Sequence, residues 1–253
     1  MLQSLGRAAL GTGFTFLMTT LGAAMVFFFA GEPRPHFQKT LLGFAAGVMT
    51  AASVWSLLLP AIDRAAEEAL PDWLPAAGGM LLGVVFLSAL DALLPHLRRD
   101  RARQDASWRQ TTLLMTAITL HNVPEGMAVG LAFALASGGE GFAGAAALAM
   151  GIGIQNFPEG AAVALPLRQG GWSRPRAFAG GMLSGAVEPV FGVLAALAAA
   201  GVDPLMPWLL SFAAGAMLYV VVEELIPQAH SRAGTCGFVL GFLVMMVLDV
   251  ALG

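Results

Sequence analysis

Two near copies of one polar hexapeptide sit inside apolar runs of helix length: His121-Asn122-Val123-Pro124-Glu125-Gly126 and Gln155-Asn156-Phe157-Pro158-Glu159-Gly160. A charged side chain at the middle of a bilayer costs about 3 kcal/mol on insertion scales, and such groups persist where they bind or conduct ions. On a helix, residues three and four apart share a face. His121 therefore projects with Glu125, and Asn122 joins them from the adjoining edge; Gln155, Asn156 and Glu159 repeat the arrangement. Each glutamate follows a proline, which has no N–H and clashes with the carbonyl four residues back. The carbonyls of Leu120 and Ile154 should thus lose their helical partners and stand as further oxygen donors, so both helices are expected to be interrupted. Interrupted helices at the centre of an internal repeat are a sequence pointer to a membrane binding site.

A third carboxylate lies deep in another apolar run, in Ser184-Gly185-Ala186-Val187-Glu188-Pro189. No lysine or arginine occurs between residues 110 and 167 or between 177 and 231. Three carboxylates cannot all be ionised in a dry interior without a counter-charge, because each ion loses several kcal/mol of hydration. A divalent cation resolves the conflict, and so does protonation; the residues alone leave both open. His121 favours metal, since imidazole with carboxylate and amide oxygens suits zinc and other first-row divalent ions, whereas calcium and magnesium favour oxygen alone.

The elements that carry these groups follow from composition. With 57% apolar and 11% charged residues, the outer surface of this chain is expected to face lipid. A helix needs roughly 20 apolar residues to cross a bilayer. Eight such stretches can be laid out, near 5–30, 38–62, 73–96, 109–136, 141–167, 174–200, 204–228 and 233–252, as one transmembrane domain over residues 1–253. The first reads as a span and not a cleavable signal, its apolar part being too long. Eleven of the thirteen lysines and arginines fall in, or within three residues of, the breaks after the first, third, fifth and seventh stretches. Basic residues are retained on the cytoplasmic side of short loops, so both termini are expected outside the cytoplasm, in a multi-pass protein of the inner (plasma) membrane. Scattered basic residues form no nucleic-acid surface. The lone Cys236 excludes an internal disulfide and reads as a small packed residue at the start of the last span. Glycines such as Gly43, Gly47, Gly79, Gly83, Gly181 and Gly185 read as sites of close helix packing. Glu223, Glu224 and His230 end the seventh span and read either as an exit-side relay or as ordinary interfacial charge.

At this level the chain resembles the ZIP (Zrt/Irt-like) divalent-metal transporters, and within them the prokaryotic GufA-like branch. The likeness rests on the two Pro-Glu-Gly hexapeptides in consecutive spans and on the Glu188 stretch, and extends over nearly the whole chain. It implies eight helices in a three-plus-two-plus-three order, with an inverted repeat relating the flanking bundles and the fourth and fifth helices forming the metal path. It also implies a two-metal centre: His121, Glu125, Gln155 and Glu159 around one ion, with Met49 as a thioether ligand, and Asn122, Asn156 and Glu188 around its neighbour, bridged by Glu125 and Glu159. Some relatives carry aspartate at the position of Asn156; an amide there lowers the charge of the second site. The loop between the third and fourth spans, often rich in histidine in this family, has none between Arg98 and Asp105. The family also admits a homodimer, for which no interface is legible in these residues.

The expectation is a carrier, not an enzyme, that moves Zn2+ as its substrate, with cadmium, iron, manganese or cobalt as further candidates, toward the cytoplasm by alternating access. Two other classes stand beside it: an intramembrane metal-dependent hydrolase, disfavoured because no His-Glu-x-x-His is present, and a proton-coupled carrier of another solute, with His121 as a relay.

Overall fold

The computed structural model describes residues 2–28, 35–66, 71, 73–98, 106–136, 141–201 and 203–252. Arg34 and the stretch 99–105, which enter the orientation argument, lie outside them, as do Glu67, Glu68, Asp72 and Glu140. Among the described residues there is no strand, and the chain forms eight helical segments. Helix α1 spans Leu2–Ala23 and tightens into a 3-10 turn, Ala24–Phe27. Helix α2 runs from Pro35–Ala52 through a π-turn, Ser53–Leu58, into Leu59–Ala65. Then come α3 (Trp73–Arg98), α4 (Ala106–Leu135) and α5 (Phe142–Gln169). Helix α6 is two half-helices, Arg174–Gly185 and Val187–Gly201. Helix α7 joins Met206–Val220, a π-turn at Val221–Leu225 and Ile226–Ala229, and α8 spans Arg232–Leu252.

A chain in hydrocarbon must satisfy its backbone within each segment, which a helix does. Among the described residues, all but α4 and α5 are long and apolar enough to cross a membrane; those two carry the polar hexapeptides. Large apolar side chains point outward, Leu10, Leu81, Leu194, Leu240 and Val250 among them. Lipid offers no hydrophobic gain for joining helices, so close packing must do it, and small residues allow backbones to approach. The four principal helix pairs, α1 with α5, α4 with α6, α2 with α8 and α3 with α7, all have glycine at the crossing. A Cβ on Gly160 would strike the Thr19 carbonyl, on Gly126 that of Glu188, on Gly47 that of Phe238 and on Gly83 that of Phe212. Cys236 is exposed, contrary to the expectation that it packs. The next residue, Gly237, is the one that meets α2, at the Thr40 carbonyl.

The pairings reveal an inverted repeat. Exchanging α1–α3 with α6–α8 and α4 with α5 turns the α1–α5 pair into α6–α4, and α2–α8 into α7–α3. The residues follow the same rule. Phe44-Ala45-Ala46-Gly47-Val48-Met49 of α2 returns in α7 as Phe212-Ala213-Ala214-Gly215-Ala216-Met217. Gly79, Leu82, Gly83, Leu90 and Asp91 of α3 return at equal spacing as Gly237, Leu240, Gly241, Leu248 and Asp249 of α8. Contacts agree: Gly47 meets the Phe238 carbonyl as Gly215 meets that of Met80, and Gly241 meets Phe44 as Gly83 meets Phe212. Two four-helix groups result, α1, α4, α5 and α6 against α2, α3, α7 and α8, touching through α2–α5, α4–α7 and α5–α8.

Proline acts elsewhere than the hexapeptides suggested. Helices α4 and α5 run unbroken through Pro124 and Pro158. The irregular turns are in α2 and α7, where Pro60 and Pro227 clash with the carbonyls of Ser56 and Glu223, both inside the π-turns. Widening the helix relieves the clash, and the N–H groups of Leu59 and Ile226 reach back five residues, to Val54 and Val221. The outright break is in α6, where the residue four before Pro189 is Gly185 and the Ala186 N–H turns to the Leu183 carbonyl (3.2 Å). Glycine is about 1 kcal/mol poorer than alanine in a helix, so α6 yields where Leu120 and Ile154 hold.

Replacing Gly47 by alanine should force α2 from α8 and destabilise the protein by about 1–3 kcal/mol, read as a lower melting temperature in detergent. Gly13→Ala, with open space around it, should not. Equal shifts in the two variants would contradict glycine-mediated pairing.

Candidate metal centre

Helices α4, α5 and α6 bring six of the polar residues singled out above into the interior. Asn122, Glu125, Gln155, Asn156 and Glu188 have no exposed surface, and Glu159 has 6%. The backbone of His121 lies on α4 one turn before Glu125, but its side chain falls outside the described residues. Met49 is fully buried on α2, within the apolar core.

Each amide serves a neighbouring helix. The Gln155 Nε2 donates to Glu125 Oε1, tying α5 to α4. The Asn156 Nδ2 donates to Glu188 Oε2 (2.9 Å), tying α5 to α6. The Asn122 Nδ2 donates to the Ser184 carbonyl (2.9 Å), just before the break in α6. Glu188 lies in the first turn of the second half of α6, where the unpaired N–H groups and the helix dipole favour negative charge. Its other oxygen accepts from the Thr19 hydroxyl of α1 (3.1 Å). Thr19 and Glu188 hold equivalent places in the repeat, for their carbonyls cover Gly160 and Gly126, the last residues of the two hexapeptides.

The donors are thus used, and acceptors remain. The oxygens of Asn122, Gln155 and Asn156 are buried and receive no hydrogen bond. Buried polar atoms almost always have a partner, and an orphan costs about 1–3 kcal/mol. Three such oxygens beside three carboxylates close enough to repel one another make a donor-poor, acceptor-rich pocket, the environment a cation satisfies. Among the described residues no three His, Cys, Asp or Glu side chains cluster as a metal site by themselves.

Sequence reasoning missed Thr19 and Asp249. Thr12, Thr15 and Thr19 form a buried stripe at helical spacing in α1, a signal that was legible. Asp249 of α8 is 9% exposed and its Oδ1 accepts from the Ser56 hydroxyl (2.6 Å). It borders a cavity of about 480 Å³ lined also by Trp55, Asp63, Ala132 and Gly144, between α2, α8 and the ends of α4 and α5 that face each other. Glu223 and His230 are exposed and Glu224 is half-buried, away from the six-residue cluster's interior.

A family model described as ZIP Zinc transporter matches residues 98–249. Zinc transporter ZIP11 of Homo sapiens is 38% identical, covering 99% of this chain and 98% of its own length. Zinc transporter GufA of Myxococcus xanthus is 39% identical over 93% of this chain and 94% of its own. Zinc transporter ZIPB of Bordetella bronchiseptica is 38% identical over 98% and 82%.

Thr19→Val should destabilise the protein by about 1–2 kcal/mol, because it strips a donor from a buried carboxylate. Thr20→Val, whose hydroxyl only returns to the Phe16 carbonyl of its own helix, should cost little. Thermal melts compare the two, and a harmless Thr19→Val would remove Thr19 from the support of Glu188.

Proposed function

The chain belongs to the ZIP zinc transporter family, and on that premise we propose that it carries zinc, and with it other divalent metals, through the cluster on α4, α5 and α6. The observation that carries the reading is the set of six buried polar residues with three orphan amide oxygens and no basic side chain in the surrounding stretches. One ion would rest on His121, Glu125, Gln155 and Glu159, with the Met49 thioether. Its neighbour would rest on Asn122, Asn156 and Glu188, with Glu125 and Glu159 bridging. Because position 156 is an amide, the second site carries less charge and holds its ion less tightly.

Transport requires that the cluster meet each side of the membrane in turn. The division into two four-helix groups supports movement of α1, α4, α5 and α6 past α2, α3, α7 and α8. The basic loops set the first, third, fifth and seventh breaks in the cytoplasm, with both termini outside, in the cell inner membrane. In that orientation the cavity beside Asp63 and Asp249 opens outward and gives a hydrated ion an acidic entry. Uptake toward the cytoplasm follows, and protonation of a bridging glutamate aids release, since ligation needs the carboxylate form. A second copy of the chain completes the assembly as a homodimer. The relatives are named as transporters, which supports carriage over hydrolysis.

Proteoliposomes holding the wild-type chain should take up zinc saturably, and Glu125→Ala and Glu159→Ala should each abolish uptake while inserting normally. Uptake retained in either variant would sink this ligand assignment; stoichiometric zinc binding by inserted wild-type protein without flux would favour an intramembrane hydrolase.

A further inference from the structure

The duplication that relates α2 to α7 repeats a chemical group along with its packing residues. Five of six positions are the same in Phe44–Met49 and Phe212–Met217, and the shared sixth residue is methionine. Both methionines are fully buried, both lie near the middle of their helices, and a proline-closed π-turn follows each. Their neighbours are exchanged in the same way. Helix α2 packs on α5, which bears Gln155 and Glu159, while α7 packs on α4, which bears Asn122 and Glu125. One buried apolar cluster contains both sulfurs, and it reaches Val129, one turn after Glu125, and Ile152, one turn before Gln155.

Methionine is an adaptable core filler, and packing alone would explain one of them. It does not explain why the same thioether recurs at equivalent mid-helix places on the two helices that pack against α5 and α4. In an inverted repeat the two halves trade conformations as the site changes sides, so a contact made by one half in one state falls to the other half in the opposite state. We infer that Met49 and Met217 are paired thioether contacts for the permeating ion, one for each orientation of the site. The inference rests on the transport reading above. Thioether sulfur is a soft ligand that favours ions such as cadmium over hard ions such as manganese, so the pair would act as a selectivity element on both faces of the carrier.

The test uses proteoliposomes with the full chain sorted into one orientation, measuring initial cadmium and manganese flux from each face. Met49→Leu and Met217→Leu are near-isosteric changes that cores tolerate. Each should raise the ratio of cadmium to manganese KM severalfold, Met49→Leu on one face and Met217→Leu on the opposite face. Met217→Cys, which keeps a soft sulfur, should restore the ratio, and Met217→Ile gives the same contrast should the leucine variant fail to insert. A Met217→Leu or Met217→Ile carrier with a wild-type ratio on both faces overturns the inference, as does a rise common to both ions and both faces, which is a packing effect. Wild-type vesicles that carry neither ion would instead remove the transport reading itself, a different and separable result.

Discussion

Three carboxylates buried together in a hydrocarbon-facing fold impose the constraint on which the rest of the molecule depends. Each ion would lose several kcal/mol of hydration, and lipid supplies no donors. The chain answers with amides. Gln155 reaches Glu125, Asn156 reaches Glu188, and Thr19 holds the other oxygen of Glu188. The break in α6 adds the positive end of a half-helix beneath Glu188. These donors stabilise the negative charge without cancelling it. What remains are the amide oxygens of Asn122, Gln155 and Asn156, which receive no hydrogen bond and suit a cation.

The same constraint shapes the packing. Polar side chains can bridge helices only where the backbones are close, and glycine sits at the crossings that matter: Gly126 under Glu188 and Gly160 under Thr19. These bonds and crossings tie α1, α4, α5 and α6 around the cluster. The other four helices repeat the glycine scheme among themselves, in α2–α8 and α3–α7. Between the groups, buried apolar residues of α2, α4, α5, α7 and α8 join one cluster, with the π-turns of α2 and α7 at equivalent places in the repeat.

The residues of the candidate site stood out because carboxylates and amides in apolar runs are rare and costly to bury. Asn122, Glu125, Gln155, Asn156, Glu159 and Glu188 are all buried, as their places within apolar runs implied. The all-helical class and eight helices were legible from composition and run length. The interruptions were misplaced: proline marks a lost hydrogen bond, but whether a helix breaks, widens or continues depends on its neighbours, as Pro124, Pro60 and Pro189 show in three ways. Helix pairing was not legible, since lipid-facing helices lack the polar face that orients a helix in water. The repeat of Phe44–Met49 in Phe212–Met217 was present in the sequence, but its meaning needed the reciprocal contacts of Gly47 and Gly215. Thr19 and Asp249 were passed over because a hydroxyl costs little in a membrane helix and an acid near a chain end reads as interfacial.

Whether a cation sits in the space among Glu125, Gln155, Asn156, Glu159 and Glu188 is read by anomalous diffraction from crystals of the protein loaded with zinc or cadmium. A peak is expected between α4 and α5 bounded by Glu125, Gln155 and Glu159, with a second, weaker one toward Asn156 and Glu188. Metal bound elsewhere, with that space holding no peak at saturating ion, would contradict the proposed metal site.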